Sequence, residues 1–568
     1  MTSVPIPRAP AESPAIGPGT WALRDLTFPK VLGRQARDLP DKVFLTETAD
    51  GRRFTFREID AWSSRVANAL QAFGVAPGRH TGVFMGNSAE HLAVFFGIGK
   101  LGAVSVPVNT AARGELLRYY LTQSDCECVV VDAALAERLA EVLPQLPLVR
   151  RVLVVRTGEG EGEGEGEGEA PARVLESSPA CAVADFAELV AAASDAPPAQ
   201  EVKCSDLLML AYTSGTTGPS KGSMLSHAAA LTYGTSAAQA QGYRRSDIFY
   251  VCLPLFHNNA LLAATATALL CGASVVLSRR FSVSKFWGEI REGHCTITNF
   301  LGAMSSFLWS NPPSPADADN ELRLVSMAPT PKYAREFEQR FGLKAMNNYG
   351  LSDFAMVTSF TEHEPPEKLG SIGKPRAGFR VRIVDDDDFE VPTGEVGEIV
   401  LQSDDPWRAA TGYYKMPEAT LAAHRNQWFH TGDRGRRDAD GYFWFVDRKK
   451  DCIRRRGENI SAFEVEQIIA THPGVANAAV FPVATQTNDE EVGAVVVRRP
   501  GATLTEKDLV EHCQRNMAYF MVPRYIQFRG ELPTTVNQKV EKFRLRQELE
   551  GALSQAWDRE AAGVVLAR

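Results

Sequence analysis

The 568-residue chain is too long for one hydrophobic core and is expected to divide into two or more domains, while its 44% hydrophobic and 23% charged residues exclude a fibrous or wholly disordered protein. A net charge of -8 argues against bulk binding to nucleic acid or to an anionic membrane surface. No apolar run approaches the ~20 residues of a membrane span, and the nine cysteines show no CxxC pairing, so a cytoplasmic protein with reduced thiols is expected.

Residues 1–20, rich in Pro and Ala, read as a disordered extension. From 28 to about 132, helix-like stretches such as 58–73 alternate with short apolar runs such as 81–85 and 103–108, the pattern of an α/β layer arrangement. The Gly-Glu repeat at 158–169 cannot pack and is expected to be a solvated loop.

The apolar run 207–211 leads into YTSGTTGPSKG at 212–222. Three glycines, a proline, several hydroxyls and one lysine allow the backbone to bend tightly and turn donors toward an anion, with Lys221 as counter-charge. Gly, two residues, then Gly, with Gly after the lysine, is not the Walker spacing, so this is a different phosphate loop. An alanine-rich helix is expected over 226–240, with Ser226 as its cap. Strands are expected at 248–255, 273–277, 296–301 and 322–327. Ligands gather at strand ends in open α/β sheets, which makes His257, Met304, Ala328 and Tyr349 pocket candidates.

The β-rich pieces between 378 and 446 suggest a small β subdomain. The charged run from 447 to 451 reads as a linker, and a compact domain follows, with a helix opened by the capping-box pattern at 461–464, strands at 478–483 and 492–497, and a helix from 505.

Further strings stand in order along the chain: LPLFHN (253–258), MAPTP (327–331), NNYGLSD (347–353), GEVGEIV (394–400), GYYKMPEAT and WFHTGD (412–433), DRKKDCIRRRGENISAFEVE (447–466) and LPTTVNQKVEKFRLR (532–546). Together with the phosphate loop they resemble the adenylate-forming superfamily of acyl-CoA synthetases, luciferases and peptide-synthetase adenylation domains. IRRRGENIS and VEKFRLR look most like crotonobetaine/carnitine-CoA ligase-like proteins.

The resemblance implies an α/β fold: a large N-terminal adenylation domain of mixed sheets flanked by helices at 21–447, including the β subdomain, a hinge at 448–450, a smaller mobile α+β cap at 451–550 and a tail at 551–568. It implies an ATP-dependent acyl-CoA ligase that makes acyl-AMP with release of pyrophosphate and then transfers the acyl group to the CoA thiol. ATP, Mg2+ and coenzyme A are the expected partners of a small carboxylic acid, with a homodimer left open. An enzyme loading a carrier protein and a non-catalytic nucleotide-binding relative are the alternatives.

Residue by residue, the resemblance assigns Thr213, Ser214, Gly215, Thr216, Thr217, Gly218 and Lys221 to the β- and γ-phosphates. Tyr349 is expected on the adenine face, with Ala328, Pro329, Asn348 and Gly350 around it. Ser352 would hydrogen-bond the α-phosphate and Asp353 would hold magnesium, where the family usually has Thr and Glu. Asp433 would take the ribose hydroxyls, Arg448 ribose or phosphate, and His257 would gate the reacting carboxylate.

Lys450 is the expected pivot, and Gly457, Glu458 and Asn459 serve the thioester step, with one of Arg454, Arg455 and Arg456 at the CoA phosphates. Lys539 is the expected adenylation lysine, although Gln538 replaces its usual Gly neighbour. Asn258, Gly302, Met304 and Met356, with His257 and Ala328, are expected to line the acyl site. Because no buried Lys or Arg is evident there, a largely apolar or aromatic acid is expected.

Overall fold

A computed structural model describes residues 21–157, 181–213, 220–301, 304–448, 452–455, 458–484, 490–517, 519–534 and 540–566. The expected extension at 1–20 and the Gly-Glu repeat lie outside these residues. The N-terminal part is built on two large sheets. In the first, Ala182–Asp185, Arg151–Val155, Cys126–Asp132, His80–Phe84, Val104–Pro107 and Leu207–Thr213 lie side by side, and Lys221–Ser226 closes the edge antiparallel to Leu207–Thr213. The second runs from Arg53–Thr55 and Val43–Glu47 through Ser274–Leu277, Ile248–Val251, Ile297–Leu301, Leu324–Ala328, Lys344–Leu351 and Ala355–Phe360 to Lys374–Pro375.

Strands of the second sheet from Val43–Glu47 to Lys344–Leu351 are parallel, and the turn at 352–354 reverses the chain into an antiparallel ladder. Parallel strands covered on both faces carry near-continuous apolar runs, as these do. The strand expected over 248–255 ends at Val251, because Pro254 cannot donate to a ladder and the chain leaves the sheet there.

Helix His227–Gln241 fills the layer between the sheets. Ser226 caps it by accepting from the Ala229 N–H at 3.1 Å, and its alanine-rich surface is buried nearly all round, as expected of a helix with no polar stripe. A Cβ at Gly234 would stand 2.5 Å from Leu270 Cδ1 and 2.9 Å from Thr267 Cα, so glycine here lets helix Thr267–Cys271 approach. A third sheet, of Phe379–Val384, Gly397–Ser403, Trp428–Arg437, His424–Arg425 and Phe443–Arg448, is the expected β subdomain.

The small C-terminal domain has its own apolar core, which includes Ile453, Val465, Val480, Val492, Val496 and Leu509. Helix Glu506–Asn516 opens with a Thr505/Asp508 capping box. Helix Ala462–Ala470 starts where expected, but the side chains of Ser461 and Glu464 lie outside the description. The stretch 551–568, expected as a tail, instead supplies Trp557–Asp558 as the edge strand beside Tyr525–Arg529, and Asp558 pairs with Arg524 at 3.1 Å. The period of so short a strand is too brief to read. Truncation after Ala552 should bare the Tyr525–Arg529 edge and make the C-terminal domain far more sensitive to limited proteolysis, while fragments spanning the N-terminal sheets persist.

Candidate active site

The site forms where three pieces of the N-terminal part meet. Thr213 and Lys221 are register partners at the mouth of the phosphate loop. Tyr119 donates to the Ser220 carbonyl at 2.8 Å, and the Tyr212 hydroxyl bonds Gln123, whose amide donates to the Tyr414 carbonyl at 2.6 Å. GYYK at 412–415 is zipped to the strand after the loop: Met224 N–H donates to the Gly412 carbonyl and Tyr414 N–H to the Gly222 carbonyl, each at 2.9 Å. This brings Tyr413 under Lys221, whose Nζ stands 4.9 Å from the ring centroid, a cation–π distance.

Asp353 is brought to the same place. It is buried, and its carbonyl accepts from Ala410 N–H at 2.8 Å. Burial raises its carboxyl pKa, against the opposing pull of the Ser223 hydroxyl, the Lys221 charge and the Tyr413 hydroxyl. Burial and the Asp353 charge likewise push the Tyr413 phenol up. Among the described residues no group of three or more His, Cys, Asp or Glu side chains comes together. A divalent ion here would therefore have one protein carboxylate, a donor set that suits magnesium completed by phosphate oxygens and water.

On the next strand, Tyr349 is buried and donates its hydroxyl to Asp433 Oδ2 at 2.8 Å, joining the second sheet to the β subdomain. Arg448 is the register partner of Asp433. Gly350 is required by close approach: a Cβ there would lie 2.0 Å from the Ala355 carbonyl oxygen. The Ser352 carbonyl accepts from Tyr233 at 3.2 Å, and Asn258 Nδ2 donates to the same hydroxyl at 3.1 Å, which ties the 352 turn to the LPLFHN segment. His257 follows directly, its ring 4.5 Å from that of Phe256. Ala328 and Pro329 close the strand Leu324–Ala328.

Some expectations change. Met304 opens helix Met304–Trp309 and is buried with Phe300, Leu308 and Met327, in a different core cluster from that of Ala355 and Met356. Arg455 is buried, pairs with Glu491 at 2.7 Å and donates to the Phe520 carbonyl at 2.8 Å. It braces the C-terminal domain and is not open to CoA. Arg376, which the sequence did not single out, is buried beside Asn348, Nη2 to Oδ1 2.5 Å, so a buried cation stands next to a residue expected at the adenine. A lone arginine before a strand reads as a surface residue in sequence. Tyr233, Tyr413 and the pair Tyr119 and Tyr120 were also missed, since only the folded contacts distinguish them from core aromatics.

Ser214, Gly215, Thr216, Thr217, Gly218, Gly302, Lys450, Gly457 and Lys539 lie outside the described residues, as do the side chains of Thr213, Arg448, Arg454, Glu458 and Asn459.

The layered α/β body, phosphate-loop strands and small C-terminal domain define an adenylate-forming enzyme. The chain belongs to the AMP-binding enzyme family, which matches residues 32–414, and the AMP-binding enzyme C-terminal domain matches 464–539. It is thereby an AMP-forming acid–CoA ligase by class. A crotonobetaine/carnitine–CoA ligase of Citrobacter koseri is 30% identical over 88% of this chain and 95% of its own. A sulfoacetate–CoA ligase of Cupriavidus necator is 32% identical over 91% of this chain and 97% of its own. In fold, the chain is similar to an anthranilate CoA ligase solved with anthranoyl-AMP, with a TM-score of 0.82 at 24% identity over 95% of this chain and 100% of that one.

Because Asp353 has a raised pKa, the folded chain holds its proton more tightly than the unfolded one. The resulting penalty on folding is absent below the ordinary Asp value of about 4 and fully present above the raised value. Asp353→Asn should therefore gain in ligand-free Tm relative to wild type as pH rises through that window, with the advantage vanishing toward pH 4. Parallel Tm curves for the two proteins would contradict this.

Proposed function

We propose that the chain activates a small carboxylic acid with ATP and passes the acyl group to the thiol of coenzyme A. The observation that carries this reading is the meeting of Lys221, Asp353 and Tyr413 at the phosphate-loop strands, with the buried Tyr349–Asp433 pair on the strand that leads into the Asp353 turn. In the first step a carboxylate oxygen attacks the α-phosphorus, the bond to the β-phosphate breaks, and pyrophosphate leaves. In the second the thiolate sulfur attacks the acyl carbon and AMP leaves.

Charge is the main obstacle in the first step, and the residues present suit its management. Lys221 and the loop hydroxyls would take the β- and γ-phosphates. Ser352 would meet the α-phosphate, Tyr349 the adenine, and Asp433 with Arg448 the ribose. Magnesium, when bound, would be held by Asp353 and would neutralise charge on the leaving pyrophosphate. His257 and Asn258, tied to the 352 turn through Tyr233, would flank the reacting carboxylate.

Lys539 would bridge carboxylate and α-phosphate during adenylation only, with Lys450 as pivot between steps, and Gly457, Glu458 and Asn459 would face the thiol afterwards. Lys539→Ala should lower acyl-AMP formation about 100- to 1,000-fold, by analogy with losing one oxyanion donor. Thioester formation from supplied acyl-adenylate should stay within a fewfold. A bulky substitution at Gly457 should do the reverse. Stopped assays of each half-reaction check this, because overall turnover falls in both variants. Equal loss of both steps in Lys539→Ala would contradict alternation.

A further inference from the structure

The face of the second sheet covered by helix His227–Gln241 and the π-helical segment Asn259–Ala266 is apolar except for one row of polar side chains. Asn299 and Ser326 are register partners on adjacent strands. Asn348 lies two residues beyond Met346, the partner of Ser326, and so shares its face. Asn348 in turn pairs with Ser359. The row thus crosses four strands inside a core of Val251, Ile297, Leu324, Met346 and Leu262. Buried polar groups persist in such a place only when hydrogen-bonded.

The bonds are unevenly shared. Asn348 Oδ1 accepts from Gln241 Nε2 at 2.8 Å, Ser359 Oγ at 2.9 Å and Arg376 Nη2 at 2.5 Å, three donors on an oxygen with two lone pairs. Asn348 Nδ2 donates to Ser326 Oγ at 3.1 Å, and Arg376 Nε bonds Ser359 Oγ. Arg376 Nη1 has no partner although the residue is only 6% exposed. Among the described residues no carboxylate forms an ion pair with it. Burial pulls the guanidinium down to about 10, so it remains charged at neutral pH. The seam therefore holds a buried cation without a carboxylate partner, while the one buried acceptor beside it that has no partner is the neutral Gln241 Oε1. A buried charge in that condition is costly, and a partner anion removes the cost.

Its position fits a substrate. Ser326 stands two residues, about 7 Å, before Ala328, and Asn348 one residue, about 3.4 Å, before Tyr349, so the seam adjoins the strand segments where the nucleotide site is proposed. We propose that Arg376, through its unpartnered Nη1, is the subsite for a second anionic group on the acid, so that the preferred substrate is a short acid bearing a distal carboxylate or sulfonate. This rests on the ligase reading above, and it replaces the apolar acid expected when no buried cation was evident.

The experiment compares pyrophosphate release by the full chain on length-matched pairs: succinate and 3-sulfopropionate against butyrate, and glutarate against valerate. The dianions should have kcat/KM at least tenfold above their partners, with the carboxylate and sulfonate arms separating the two sources of charge. Arg376→Met should raise the KM for the preferred dianion tenfold or more. The KM for ATP and kcat/KM for the monoanions should stay within about twofold. Equal use of the paired acids by wild type overturns the proposal, a result that does not depend on the variant folding. So does an equal rise in KM for ATP and for every acid in Arg376→Met, which would mean that Arg376 only braces Asn348. Release with monoanions alone sinks the subsite and leaves the ligase intact. Absence of release with every acid, while AMP still binds, sinks the ligase reading and the subsite with it.

Discussion

The buried hydrogen bond from the Tyr349 hydroxyl to Asp433 is the contact on which the site's geometry depends. It joins residues 84 positions apart and fixes the β subdomain against strand Lys344–Leu351 of the second sheet. A charge-assisted bond of this kind contributes roughly 1.5–3 kcal/mol, and leaving the carboxylate buried without it would cost more.

The second constraint is the zipper between 222–224 and 411–414. It carries the chain of the β subdomain back onto the phosphate-loop strands, so that Tyr413 supports Lys221 and faces Asp353. Lys221 and Asp353 come from different sheets, and only this stitching makes them neighbours. Burial of the Asp353 carboxyl is unfavourable for folding and useful for holding a cation, the usual conflict between stability and function at a site.

Much of this was legible in the chain because motif and architecture coincide. The strand before His257 and the strand that ends at Ala328 follow from apolar runs stopped by Pro, whereas Tyr349, expected just past a run, lies within its strand; helix His227–Gln241 follows from an alanine-rich stretch behind a capping serine. What escaped depends on which face a residue takes. Met304 is apolar and close to the site in sequence, yet it opens a helix that packs it with Phe300, Leu308 and Met327. Arg376 has the sequence setting of a surface residue and becomes buried because Lys374–Pro375 pairs with Ala355–Phe360 and draws it against Ser359. Arg455 has the same composition on either side as Arg454 and Arg456, and only the fold reveals its pairing with Glu491. Trp557–Asp558 is too short a strand to carry a period.

That a nucleotide binds at the Tyr349–Asp433 pair is tested most directly by calorimetric titration of AMP into the wild type and into Asp433→Asn. The amide oxygen can still accept from Tyr349, so the fold is kept while the charge is removed. The account predicts a fall in AMP affinity of about tenfold or more, as for a charge-assisted hydrogen bond, in a variant whose cooperative melting shows that it remains folded. Equal AMP affinity in the two proteins would contradict it.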